Sequence, residues 1–330
     1  MGSNKALRIL LLLGLFVAVC GAALFLGRYP APGFLPPFAL RDDPIARAVV
    51  FGSRMPRILG AVLIGASLGG AGAAFQLVFA NPLVEPGFLG VSQGAAFGAA
   101  LSMILGAGLG PLTALSAFVF ALIALLISSI LARKFRYGGS VLRLVLAGIS
   151  VSAVFSAGIA IIKYTADPLS QLPDITYWTL GGLSGLNWTS FRLLAPSVIV
   201  SLLLLLLLRR RIDLLSLDDE VARSLGARPE AERAFILASA ALGVAASVAA
   251  SGVVSWAGLV VPHVARAIVG ADARASVPVS MILGALFLVV CDAAARTMFA
   301  GELPLGATVS ALGAFVFVGF LASGRTRIIR

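Results

Sequence analysis

The chain has a single histidine, His263, in 330 residues, and only two cysteines, Cys20 and Cys291. Both cysteines lie in apolar runs and read as core residues. They offer neither a disulfide framework nor a metal-ligand cluster, and one histidine cannot supply one. No metal site is expected, and His263 reads as a structural polar group. The sequence also lacks a phosphate-binding glycine loop ending in Gly-Lys-Ser/Thr, so this chain does not hydrolyse ATP. It contains no H-E-x-x-H and no G-x-S-x-G. No enzymatic role is expected, and no cofactor of its own. Charge is scarce as well, at 12 % of residues, and acids number 14 against 25 lysines and arginines.

What fills the chain is apolar sequence. Hydrophobic residues make up 60 % and the mean hydropathy is +1.05. One soluble core cannot absorb that much apolar surface. Long apolar runs separated by polar loops predict an all-α polytopic membrane protein, because each span must satisfy its own backbone polar groups. A transmembrane barrel is excluded by runs such as "SLLLLLLLRRR", which do not alternate. The net charge of +11 fits headgroup contact and not nucleic acid, since basic residues flank the spans.

Ten spans are expected, at about 7–27, 58–79, 88–109, 112–132, 141–163, 191–208, 232–251, 253–268, 277–298 and 304–322. The chain reads as one membrane domain over 1–330. The first run is read as a span and not as a signal peptide, since its apolar part is long and no cleavage pattern follows. An even count puts both termini on one side. With that side cytoplasmic, 17 of the 25 basic residues fall inside, as the positive-inside bias requires. Arg47, Arg54 and Arg57 then fall outside, with Arg296 at the outer end of the ninth span. They are interfacial anchors or an exposed basic rim for an acidic partner. Asp292 is the main acid inside a span, one helical turn from Arg296.

Several loops carry readings of their own. "FANPLVEPGFLG" (79–90) is a proline-restricted turn, with Glu85 in the turn or tucked among helices. "RRRIDLLSLDDEVARSLGARPEAER" (209–233) is the largest inner loop. Ser216 is expected to cap a short helix whose first turn holds Asp218 and Asp219, and Gly226 to end it. Leu217, Val221 and Leu225 form one apolar stripe that needs a cover. Pro262 is expected to kink or end the eighth span. Residues 164–190 form an outer, aromatic segment: an interfacial belt, or a substrate-handling element at about 167–187. Span five carries Ser150, Ser152 and Ser156 beside glycines, following the flexible "RYGGS" turn. Glycines four apart in "GASLG" and "GVSQGAAFG" predict close helix packing.

Five stretches taken in order resemble the FecCD-type permeases, the membrane subunits of ABC importers for cobalamin, haem and iron-siderophores. They are "RMPRILGAVLIGASLGGAGAAFQLVFANPLVEPGFLGVSQGAAFGA" (54–99), "ITYWTLGGLSGLNW" (175–188), "DDEVARSLG" (218–226), "GLVVPHVARAIVGADAR" (258–274) and "ELPLGATVSALGAFVF" (302–317). The resemblance implies the type II importer architecture, a homodimer in a bacterial or archaeal plasma membrane, and two separate ATPase subunits that use ATP and Mg. It also implies an extracytoplasmic binding protein, periplasmic or lipid-anchored, for which Arg47, Arg54, Arg57 and Arg296 are docking candidates. Coupling to the ATPases falls on about 212–230: Asp218, Asp219, Glu220, Ala222, Arg223, Leu225 and Gly226. Pathway and gate candidates are Gly138, Gly139, Ser140, Ser152 and Ser156. Metal chelates are the family expectation for cargo, and some relatives move oxyanions such as molybdate. The other class to weigh is an ion-gradient-driven carrier, for which Asp292 would be the working acid.

Overall fold

Proline and glycine punctuate the apolar runs, and the helices begin and end where they stand. The computed structural model describes residues 2–135, 139–299 and 301–322. Helix α1 is Gly2–Phe25, followed by a two-residue antiparallel pairing of Leu26–Gly27 with Gly33–Phe34. Two short turns, α2 (Ala39–Asp42) and α3 (Pro44–Arg47), lead through a π-helical stretch, Ala48–Arg54, into α4 (Met55–Val78). Helix α5 is Val91–Ser102, α6 Pro111–Lys134, α7 Ser140–Thr165, α8 Gln171–Leu180 and α9 Trp188–Leu215. The chain continues with α10 (Asp219–Ser224), α11 (Pro229–Ser251), α12 (Ala257–Val269), α13 (Ala273–Thr297) and α14 (Leu305–Ala322).

Local chemistry sets these limits. Pro111 and Pro229 open α6 and α11, where the missing amide is not needed. Asn187 accepts from the Ser190 amide at 3.0 Å to start α9, and Asp272 accepts from Arg274 N–H at 2.8 Å to start α13.

Among the described residues, seven helices are long and apolar enough to cross a membrane, and three apolar helices are shorter: Val91–Ala107, Ala257–Val269 and Leu305–Phe320. They follow the ten expected runs in order, so the chain is a multi-pass membrane protein. Helix α9 runs seven residues past the expected end of span six, through the three arginines to Leu215. Arginine has good helix propensity, so charge alone does not stop the helix.

Helix α4 is the axis of the bundle. The apolar window of the Pro44–Val78 segment is 83 % buried, against 6 % for α1. It packs on α9, α11, α12 and α13. Small residues make this possible. A Cβ at Gly65 would run into the backbone of Gly284 on α13, and one at Gly69 into that of Ser280. Gly94 and Gly98 bring α5 equally close to Phe120 and Ser116 of α6, where Ser116 Oγ donates to the Gly98 carbonyl at 2.7 Å. Such approach maximises dispersion contact in lipid, where apolar burial between helices gains little.

Pro262 does not end its helix. It lies within α12, which continues to Val269. The proline removes the amide that would have reached the Gly258 carbonyl. That carbonyl sits against Gly72 of α4, where a side chain would collide with it.

Candidate functional site

Three regions carry the expected functional residues. The first lies at the end of the bundle where α4 begins and α13 ends. The π-helical turn at 48–54 swings Arg54 inward, and the first turns of α4 do the same for Arg57. Arg57 donates from Nε to Asp292 Oδ1 at 2.8 Å and from one terminal nitrogen to both oxygens of Glu302, at 2.7 and 3.0 Å. Arg296 Nε lies 3.1 Å from Asp292 Oδ2, a charge contact without hydrogen-bond alignment. Its terminal nitrogens donate to the Ala23 and Leu26 carbonyls at 3.2 and 3.5 Å. Arg54 donates to the Leu24 carbonyl at 3.1 Å.

These arginines are buried: Arg54 is 5 % exposed, and Arg57 and Arg296 are each 7 % exposed. They therefore do not form the expected exposed rim. A guanidinium among apolar helices requires acceptors, and α1, Asp292 and Glu302 provide them. Arg47 is exposed, as are Arg28 and Arg41 of the same segment before α4. The Asp292–Arg296 pair stands as expected. The sequence reading missed Arg57 as a partner of Asp292, and Glu302 entirely. The signal was present, because an acid within a span calls for a cation in reach.

The second region is 209–233. Ser216 does not cap α10. It closes α9, and its hydroxyl donates back to the Asp213 carbonyl at 2.7 Å. Helix α10 begins at Asp219 instead, with Asp218 before it and no side-chain cap bond. Because α9 runs on to Leu215, Ser216 is consumed at its C-terminus. Asp219 receives Arg233 at 2.6 Å and lies 4.0 Å from Arg223. The Arg233 contact fastens α10 to α11, and the Arg223 contact lies within α10. Ala222 is fully buried beneath the helix, while Leu217, Val221 and Leu225 stand 43 %, 46 % and 57 % exposed. Glu220 and Arg223 are exposed beside them. Gly226 ends α10 at φ +83°, with open space where a Cβ would stand. The stripe is thus formed, and nothing else among the described residues covers it.

Behind it lies a polar seam. Arg266 donates to Gln76 Oε1 at 2.6 Å, and Gln76 donates to the Leu259 carbonyl at 3.0 Å. His263 Nε2 lies 2.9 Å from the Pro82 carbonyl, and the ring packs edge-on against Phe317. His263 is a satisfied structural group, as expected. Gln76 was missed, although a glutamine inside "FQLVF" marks a buried polar contact. Glu85 accepts from the Trp256 amide at 3.4 Å, and burial pushes its carboxyl above the usual range.

The third region is α7. Gly138 lies outside the described residues. Gly139 precedes the helix and Ser140 opens it. Ser152 is half-buried and Ser156 exposed. Ser150, Ala153, Ala157 and Ala160 recur at three- and four-residue spacing, and all are exposed. The end of α8 packs on the ends of its neighbours: Gly182 N–H donates to the Ser251 carbonyl at 2.8 Å, and Leu305 N–H to the Gly181 carbonyl at 2.9 Å.

The profile of the FecCD transport family matches residues 9–323. The chain belongs to the FecCD transport family. Among curated FecCD relatives, the molybdate import permease MolB of Haemophilus influenzae is 35 % identical over 84 % of this chain and 82 % of its own length. The hemin transport permease HmuU of Yersinia pestis is 37 % identical over 82 % of each. The vitamin B12 import permease BtuC of Vibrio cholerae is 36 % identical over 94 % of this chain and 92 % of its own. A solved structure described as an inward-facing metal-chelate type ABC transporter superposes with a TM-score of 0.88 at 31 % identity, covering 96 % of this chain and 99 % of that one. The PsaBC complex from Streptococcus pneumoniae, at 16 % identity and TM-score 0.56, shares the fold. The FecCD architecture is therefore that of ABC importer permeases.

Proposed function

We propose that this FecCD chain is the membrane subunit of an ATP-driven importer of a metal chelate, such as an iron-siderophore, haem or cobalamin. The observation that carries the reading is the uncovered apolar stripe of α10 in a chain whose fold is that of ABC importer permeases. Leu217, Val221 and Leu225 form the face that two ATPase subunits would bury, one per copy. Asp218, Asp219, Glu220, Ala222, Arg223 and Gly226 shape the same contact. ATP and Mg act in those subunits, and this chain supplies the conduit.

A second copy would cover the exposed small-residue face of α7, with Ser152 and Ser156 on or beside the path and Gly139 and Ser140 at its inner gate. Close approach through alanine and serine favours such an interface. Closure of the ATPases would then shift the path between its two open states. Both termini lie in the cytoplasm of a bacterial or archaeal cell, with membrane lipid around the bundle. The binding protein docks outside, on Arg47 with Arg28 and Arg41. Cargo of oxyanion type is the second reading, on the likeness to the molybdate permease. A gradient-driven carrier fits less well, because Asp292 is held between two arginines and is a poor site for a travelling proton.

The test is affinity purification from the native membrane followed by an ATPase assay. Recovery of an ATP-hydrolysing partner in equal amount supports the importer. A lone, ATP-indifferent chain that transports in liposomes under an ion gradient overturns it.

A further inference from the structure

A cavity of about 570 Å³ opens between α6, α7 and α11. It lies at the end of the bundle that carries α10, the end assigned above to the cytoplasm. Arg133, Arg143 and Arg233 line it, against one acid, Glu230. The rest of its wall is mainly apolar, including Leu125 and Leu237.

Two of the arginines are incompletely used. Arg233 is 7 % exposed and gives its terminal nitrogens to Asp219 and to the Leu215 carbonyl, at 2.6 and 3.3 Å. Its Nε is buried and has no acceptor among the described residues. Among the described residues Arg143 donates to the Phe135 carbonyl, at 3.2 Å, and its Nε is likewise buried without an acceptor there. Unpaired buried guanidinium donors are rare and unfavourable. Two at one cavity mark a place for an anionic oxygen.

The apolar wall narrows the choice. A free, fully hydrated anion gains nothing from Leu125 and Leu237, and Glu230 opposes a multiply charged one. A phospholipid combines both requirements in one molecule. Ile130 and Leu126, about one and two turns before the lining residue Arg133 on the same stripe of α6, are exposed, giving acyl chains a surface to follow. Basic pockets between helices on the cytoplasmic side are suited to anionic headgroups. We propose that this cavity binds the headgroup of an anionic phospholipid, with its phosphate held by Arg143 and Arg233 and steadied by Arg133.

The test uses the full chain, purified and delipidated in detergent, with lipid retention read by native mass spectrometry. Phosphatidylglycerol should be retained at least about tenfold better than phosphatidylcholine. Arg133→Gln combined with Arg143→Gln should bring the two lipids to parity. Ala234→Phe fills the cavity from an exposed position and keeps every charge. It should remove the preference while leaving the thermal transition in place, and it decides the matter alone if the double variant does not fold. Equal retention of the two lipids by the unaltered chain overturns the proposal. So does an undiminished preference in Ala234→Phe, or displacement of the lipid by inorganic phosphate, which would make this a free-phosphate site.

Discussion

Arg57 and Asp292 are joined by a 2.8 Å ion pair between helices 235 positions apart in the chain, and Asp292 is 1 % exposed. Arg296 meets the other oxygen of the same carboxylate. One acid thus bridges two buried cations from opposite sides, while Glu302 supplies the second negative charge, at Arg57. Removing it should be more harmful than removing either arginine, because both guanidinium groups would be left without their shared counter-charge. Asp292→Asn should lower stability by about 3–5 kcal/mol, seen as a large fall in the thermal transition of the purified protein. A transition unchanged from that of the unaltered chain would mean that Asp292 is not the counter-charge that holds these arginines.

The same geometry separates anchoring from docking. Arg47 is exposed and Arg57 is not. Arg47→Glu should leave yield and melting intact and slow association with the binding protein by several-fold, most clearly at low salt, as steering by a surface charge requires. Arg57→Glu should reduce folded yield before any docking can be measured. Stopped-flow association at two ionic strengths distinguishes the two. An Arg47→Glu chain with an unaltered, salt-independent rate would take that residue out of the rim.

Much of the fold was legible because lipid imposes simple rules. Length and apolarity located the runs, proline and glycine marked their ends, and "GASLG" foretold the contact of α4 with α13. What escaped was three-dimensional. Arg54 and Arg57 read as flanking charges, since nothing local in "SRMPRILG" says that a π-helical turn directs them inward. Ser216 looked like a cap because the extension of α9 to Leu215 is a matter of propensity that the charge run concealed. Ser152 and Ser156 could be placed on a helix but not on a face, because which side of α7 is left open depends on α5 and α6.

Helix α10 offers a test of coupling that keeps surface and backbone apart. Val221→Asp changes the exposed stripe and leaves the helix axis alone. Gly226→Val instead forces a β-branched residue into a left-handed conformation, at about 1–2 kcal/mol, in a place where no side-chain collision occurs. Both should lower transport per ATP hydrolysed, with the thermal transition nearly unmoved for Val221→Asp. Transport and hydrolysis measured together in proteoliposomes decide it, and normal coupling in both variants would free α10 of that role.

The orientation of the bundle can be read from two positions. Ser53 is exposed near the start of the α4 segment and Leu217 is 43 % exposed before α10. In a background with Cys20→Ala and Cys291→Ala, Ser53→Cys should react with a membrane-impermeant maleimide added to intact spheroplasts. Leu217→Cys should react only after permeabilisation. Cys291→Ala opens a small cavity, since Cys291 is fully buried, so the background must first be shown to fold. Labelling of both sites from the same side would place an even number of crossings between them. The run from α4 to α9 would then have lost or gained a span, and the shorter α5 (Val91–Ser102) would be the first helix to suspect. Labelling from opposite sides in the reverse sense would keep the span count, place the arginines of α9 and α10 outside, and contradict the charge bias from which the orientation is inferred.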